Sequence, residues 1–267
     1  MPPPAKGGGA RRGRAKKPTL TVVRGGEAPR SGAAPRPGGS SRWTRWIAYA
    51  LLGLFACYWG SKVFTEHRIG NYAVETDFYW KYGPAARDLL HGKIDISNYD
   101  SKGWGYPVAV ALISATGLEP FRAAQVLALL AAVLAGLFAY RIHRSLLGPA
   151  VALCALLLLL SNETFLANTY EVGTDMFFFA IVLGCVSLLL GRTRPDTWAL
   201  LGSGLLGGWA FSTRYNGLFL WPGACLLLLG LRTIDGNARV RLRSAAIWSG
   251  GFVAAALPWL VVNAVHT

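Results

Sequence analysis

The sequence predicts an all-α, polytopic membrane protein with about seven transmembrane helices, joined by interfacial helices and preceded by a basic tail. Three observations predict it. Of the 267 residues, 53% are hydrophobic and only 15% are charged, against roughly 25% charged in ordinary globular chains. The apolar residues fall in seven separate runs, at 43–64, 120–142, 149–167, 172–190, 197–213, 215–231 and 245–265. The charge is unevenly placed: residues 1–45 hold 11 of the 27 Lys+Arg and one acid, Glu27, leaving 16 bases against 12 acids in the remainder. The formal charge of +14 is thus a property of the tail and loops, which argues against a nucleic-acid-binding domain. Collagenous, disulfide-scaffold and wholly disordered classes are excluded by the same composition.

Residues 1–42 are mostly Gly, Pro, Ala, Arg and Lys. Such a segment buries too little surface to offset its ordering entropy and is expected to be a disordered cytoplasmic tail. The run from Trp46 to Trp59 lacks a small-residue cleavage site, so it reads as a span rather than a removed signal. A hydrocarbon core of about 30 Å takes about 20 helical residues. The first, second, fourth and last runs meet that length, and the third, fifth and sixth are short. Residues 105–117 (GYPVAVALISATG) are too few to cross and suit an interfacial or re-entrant helix. Placing the tail inside and alternating the spans puts 19 basic residues and three acids inside, and eight basic residues and 10 acids outside. This positive-inside asymmetry holds for every loop. The expected localisation is the inner or plasma membrane, multi-pass, with a cytoplasmic N-terminus and an outer loop over 65–104.

That loop contains TDFYWKYGPAARDLLHGK. An amphipathic helix is expected from Asp77 to His91, with Phe78, Tyr82, Ala85 and Leu89 on one face. The four cysteines (Cys57, Cys154, Cys185, Cys225) each lie in an apolar run and read as small core residues. The four histidines (His67, His91, His143, His266) form no metal-ligand spacing. Gly204 and Gly208 make a GxxxG suited to close helix packing, Pro222 and Pro258 are expected to kink their helices, and Asn162-Glu163-Thr164 matches a glycosylation acceptor.

Asp77 is either a helix cap or a general base at the membrane surface. Asp175 is an interfacial anchor, a helix cap shared with Thr174, or a site residue. Glu171 is one turn earlier, so both acids are expected on one helical face. With Asp77 they could order an acceptor or a divalent cation. Arg214, between two apolar runs, is a snorkelling turn residue or a phosphate clamp, because guanidinium offers bidentate donors to phosphate. Lys102 is a solvated loop residue or a second ligand of the same anion. It precedes GWGYP, which sets Trp104 and Tyr106 at the interface.

In order, the chain has a first span, an outer loop with an Asp near its start, a helix ending in LLHGK, a GYP lead-in to an apolar helix, and FRAAQVLALLAAVLAGLFAYRIHRSLLG. A Thr-Asp then opens a later span and a Thr-Arg-Tyr turn follows. This arrangement, over 43–265, resembles the GT-C superfamily of membrane glycosyltransferases, in particular the protein O-mannosyltransferases and lipid A aminoarabinose transferases. The resemblance implies an inverting transfer of sugar from a polyprenyl-phosphate donor to an acceptor hydroxyl or amine on the extracytoplasmic side. It implies Asp77 as the catalytic residue and Asp175 as a second acid of the site; Asp175, Arg214, Lys102 and Tyr106 are the expected substrate-binding residues. Relatives carry Lys-Pro-Pro where this chain has Lys102-Gly-Trp-Gly-Tyr-Pro, and often an acidic pair where Asp77 is followed by Phe78. They are also longer, so residues 43–267 are expected to be the N-terminal part of such a domain. The other function classes are a lipid or small-molecule transporter or flippase, and a non-catalytic membrane scaffold. The expected partners are the bilayer and the lipid-linked sugar donor, with no nucleic acid.

Overall fold

The computed structural model describes residues 40–68, 75–99, 102–191, 195–230 and 237–266. Nearly all of the expected tail, and parts of the loops at 65–104, 191–196 and 232–244, lie outside them. The described residues are helical, with no strand. In chain order the helices are α1 (Ser40–Thr65), α2 (Gly83–Leu90), α3 (Gly105–Ser114), α4 (Pro120–Leu147), α5 (Pro149–Leu160), α6 (Glu163–Tyr170), α7 (Thr174–Leu190), α8 (Thr197–Thr213), α9 (Leu220–Gly230) and α10 (Ala238–His266).

Capping chemistry explains the boundaries. Glu119 accepts from the Phe121 amide at 3.0 Å and Pro120 opens α4. Asp196 accepts from Ala199 at 2.7 Å at the start of α8, and each pairing satisfies one orphan donor of a first turn. Asn162 caps α6 through Phe165 at 3.0 Å, which gives this member of the glycosylation triplet a structural task. Gly148, at φ 91°, turns α4 into α5, a conformation favourable only to glycine. Pro222 lies in the first turn of α9 rather than in a helix interior, where its missing N–H costs nothing. Pro258 is inside α10.

Three described helices, α1, α4 and α10, are long and apolar enough to cross a membrane. A fourth crossing arises if α5 and α6, bent by 60° at their junction, form one broken span. The protein is therefore an all-α, polytopic membrane protein. Helix α4 carries a buried stripe of small residues, Ala124, Ala128, Ala131, Ala135 and Ala139, against which α1, α5 and α7 pack. The expected close packing at GxxxG is present. A Cβ on Gly204 would lie 2.1 Å from the Trp248 carbonyl oxygen, and one on Gly208 2.1 Å from that of Phe252. The constant offset of 44 residues shows that α8 and α10 run parallel, with α9 returning between them.

This sorts the bundle ends. The end of α1 meets the start of α4, where Gln125 donates to the Val63 and His67 carbonyls at 3.0 Å. At the far end of α4, Ser145 donates to the Leu190 carbonyl at 3.2 Å, at the end of α7. Arg141, Arg144, Arg239, Arg241 and Arg243 follow that far end. The acids of the first loop and of the α6–α7 junction gather at the other.

Candidate functional site

The site is assembled where α1 and α8 end and α4 and α7 begin, with the first loop over them. The helix expected from Asp77 to His91 forms as a π-helical turn, Phe78–Tyr82, running into α2. Its predicted face is the buried one: Phe78, Tyr82 and Ala85 are all under 4% exposed, and Leu89 packs on the same cluster. Asp77, on the opposite side, makes no capping hydrogen bond. Its carboxylate is instead ion-paired with Lys102, and both side chains keep partial exposure.

Lys102 is delivered by the turn into α3. The Gly-rich phrase there has a steric cause. A Cβ on Gly103 would lie 2.0 Å from the Ser212 carbonyl oxygen, and one on Gly105 2.5 Å from Thr213 Oγ1. The backbone of 103–105 therefore lies directly on the last turn of α8. That turn ends at Arg214, whose backbone is extended and whose guanidinium is ion-paired with Asp175 in the first turn of α7.

Tyr82 neighbours Lys102 and Thr174. Its ring lies 5.5 Å from the Lys102 ammonium, and its phenol lies beside Thr174, the neighbour of Asp175. Burial raises the Tyr82 phenol above its ordinary value, while the nearby Lys102 ammonium works against the rise. Burial disfavours the charged Lys102, yet its hydrogen bond to Asp77 and the neighbouring Tyr82 phenol outweigh this and raise its pKa. The cation is held at any physiological pH. Tyr106 is wholly buried and meets Tyr82 edge-on at 5.2 Å. It backs Tyr82 from beneath and does not face the exposed pairs.

Arg214 is matched with Asp175 and Lys102 with Asp77. One expectation is corrected. Glu171 and Asp175 do not share a helical face, because α6 ends at Tyr170 and the backbone is extended at Glu171 and Gly173. The two acids still sense one another: burial raises the Glu171 carboxyl, and the charges of Glu75 and Asp175 raise it further. Neither Thr174 nor Asp175 caps α7 through its side chain. Among the described residues no three His, Cys, Asp or Glu side chains are grouped as metal ligands would be.

Sequence reasoning missed Glu75 and His67. Both are buried, with His67 Nε2 2.8 Å from Glu75 Oε1. The same oxygen accepts from the Val172 amide at 2.8 Å, and Oε2 accepts from the Tyr79 hydroxyl at 3.0 Å. Tyr170 stacks on the imidazole at 4.4 Å. The available signal was an acid two residues before Asp77 and a histidine just beyond the first span.

Three cavities bear on the site. One of about 420 Å³ is lined by Asp175 and Arg214 with Asn168 and Phe179. A second, of about 660 Å³, runs from Trp104 and Ser212 down α8 to Leu188 and Ala255. A third, of about 400 Å³ and almost wholly apolar, lies among α3, α4, α7 and α8. The second and third share Leu206 and Trp209. Asp175 and Arg214 thus line one cavity, and the second begins at Trp104 and Ser212, two residues from Lys102 and from Arg214.

A family model described as dolichyl-phosphate-mannose-protein mannosyltransferase matches residues 106–262. The match includes Tyr106, Asp175 and Arg214, while Asp77 and Lys102 precede it. No curated protein and no solved structure matches the chain. The match covers more than half of the chain and agrees with the helical membrane architecture: the protein belongs to the dolichyl-phosphate-mannose-protein mannosyltransferase family, and is a GT-C-type membrane glycosyltransferase that uses a polyprenyl-phosphate-linked sugar donor.

Proposed function

We propose that Asp77 is the general base of an inverting sugar transfer on the extracytoplasmic face, and that Lys102 and Arg214 receive the donor phosphate. The observation that carries this reading is the arrangement of two acid–cation pairs, Asp77–Lys102 and Asp175–Arg214, at one end of the bundle, with the Tyr82 ring beside Lys102. A lipid-linked phosphate brought to the mouth of the apolar grooves competes with both carboxylates for the two cations. As Lys102 turns to the phosphate, the Asp77 carboxylate is released to accept a proton.

The acceptor hydroxyl oxygen, or an amine nitrogen, then bonds to the anomeric carbon. The bond from that carbon to the phosphate oxygen breaks, and the acceptor proton passes to Asp77. The departing polyprenyl phosphate gains one negative charge, which Lys102 and Arg214 offset where it develops. A single displacement inverts the anomeric centre. Asp175 holds Arg214 in reach between turnovers, and Tyr106 keeps Tyr82 in place beneath Lys102. The apolar grooves around Trp209 accommodate the first isoprene units. Transfer of radiolabelled sugar by purified Asp77→Asn and Arg214→Ala variants tests this reading.

The same reading carries the topology. The seven apolar runs become α1, α4, α5 with α6, α7, α8, α9 and α10, alternating in direction. At about 1.5 Å per residue the 17 residues of α7 reach about 25 Å, near the lower limit for a span. Residues 1–42 are then a cytoplasmic tail of a domain that occupies 43–267. An impermeant thiol reagent applied from outside should label Ser97→Cys and not Asn237→Cys, in a variant lacking the four native cysteines. Labelling of Asn237→Cys alone would reverse the orientation.

A further inference from the structure

We propose that Glu75 is a positioning residue that ties the segment carrying Asp77 to the segment carrying Asp175. This rests on the reading of Asp77 as the base. Glu75 is two residues before Asp77, and Val172, whose amide it accepts at 2.8 Å, is three before Asp175. One buried carboxylate therefore bridges two chain segments nearly 100 residues apart in sequence. Its remaining contacts fix it in turn. His67 Nε2 approaches the same oxygen at 2.8 Å from the end of α1, and the Tyr79 hydroxyl donates to the other oxygen at 3.0 Å from the π-helical turn. His67 is clamped by Tyr170 at 4.4 Å and Phe121 at 5.2 Å, and its carbonyl accepts from Gln125 of α4. Gln125 is itself held by Arg122 at 2.8 Å.

Burial decides the role. Glu75 is 1% exposed, so it cannot meet an acceptor or a donor in this conformation, and it acts through what it holds. A carboxylate without partners at this depth would be strongly unfavourable. With one imidazole, one amide and one phenol around it, it forms a network in which each partner comes from a different element. Such a network has one arrangement, so the two acids at the surface inherit a fixed separation. A displacement of about 1 Å at a reacting group can cost about 100-fold in rate, and that is the effect this tie prevents.

The test compares sugar transfer and donor binding, with a polyprenyl-phosphate sugar as probe, in wild type, Glu75→Ala, Asp77→Asn, the Glu75→Ala/Asp77→Asn double variant, and a His67→Gln/Glu75→Gln pair. The last exchanges the imidazole and the carboxylate for amides that can still hydrogen-bond to each other and to Val172. It also supplies a folded comparison if Glu75→Ala does not accumulate. The inference expects Glu75→Ala to lower kcat by about 10- to 100-fold with donor KM within about twofold of wild type. The double variant should be no slower than Asp77→Asn by more than about threefold, because both changes disable one group. The amide pair should recover most of the lost kcat. Multiplication of the two single effects, or an amide pair as slow as Glu75→Ala or Asp77→Asn, overturns the positioning role. Wild-type transfer by Asp77→Asn instead overturns the base reading on which it rests, so the two failures are separable.

Discussion

Arg214 leaves the end of α8 in extended backbone and forms an ion pair with Asp175 in the first turn of α7. The pair joins two helices that both reach the site, and the Arg214 side chain lines the cavity beside it. Hydrogen bonds to charged groups contribute about 1.5–3 kcal/mol. Arg214→Ala should weaken binding of a polyprenyl-phosphate sugar by about 10- to 100-fold. Arg214→Lys should recover part of this, because an ammonium lacks the bidentate fork. Asp175→Asn removes the resting competitor and should bind donor no more weakly than wild type. Titration of the three variants with donor checks all of these outcomes.

The turn of 103–105 positions Lys102 only because its glycines let backbone lie on backbone. Gly103→Ala places a methyl group 2.0 Å from the Ser212 carbonyl oxygen, so one of the two segments must move. Lys102 and Arg214 flank that contact on the two segments. Turnover should fall about 10-fold or more although no charged group has been removed, and donor titration with transfer measurements would show it.

Close packing of α8 on α10 makes a second steric prediction, distant from the chemistry. Gly208→Val puts branched carbon where the Phe252 carbonyl oxygen already lies. Overpacking of this kind costs about 1–3 kcal/mol or more. The apparent unfolding temperature in detergent should drop, whereas Gly223→Ala, with open space around its Cβ position, should leave it nearly unchanged.

Glu171 gives a pH dependence. Burial first, then the charges of Glu75 and Asp175, raise its folded pKa above the ordinary 4.5. A carboxyl with a raised folded pKa favours the folded state in its protonated form. That contribution is complete below about pH 4.5 and is lost as pH rises through the folded value. Glu171→Gln, which stays neutral, should therefore be more stable than wild type at pH 7–8, with the difference shrinking towards pH 4.5. Thermal unfolding across that range measures it.

Much of the architecture was legible because lipid imposes a coarse rule: every long apolar run must satisfy its own backbone, and only a helix does so. The GxxxG of α8 and the buried face of the first-loop helix followed from spacing alone. The pairing of charges did not. Lys102 is 25 residues from Asp77 and Arg214 39 from Asp175, and nothing local says which acid takes which cation. The shared face expected for Glu171 and Asp175 failed at Gly173, where an extended backbone interrupts the 3.6-residue period. Glu75 and His67 escaped notice for a related reason. Each looks like an ordinary loop polar residue until the fold buries both among aromatic rings.

If Asp77 takes the acceptor proton, a neutral isostere at this position blocks transfer and leaves donor binding intact. Asp77→Asn keeps the shape of the side chain and its reach to Lys102 but accepts no proton. The most direct measurement is steady-state transfer of radiolabelled sugar by purified Asp77→Asn, alongside binding of the same polyprenyl-phosphate donor. Turnover should be lower by about 100- to 10,000-fold, with donor affinity equal to or tighter than wild type because Lys102 is freed for the phosphate. Transfer at the wild-type rate would contradict the role of Asp77 as base.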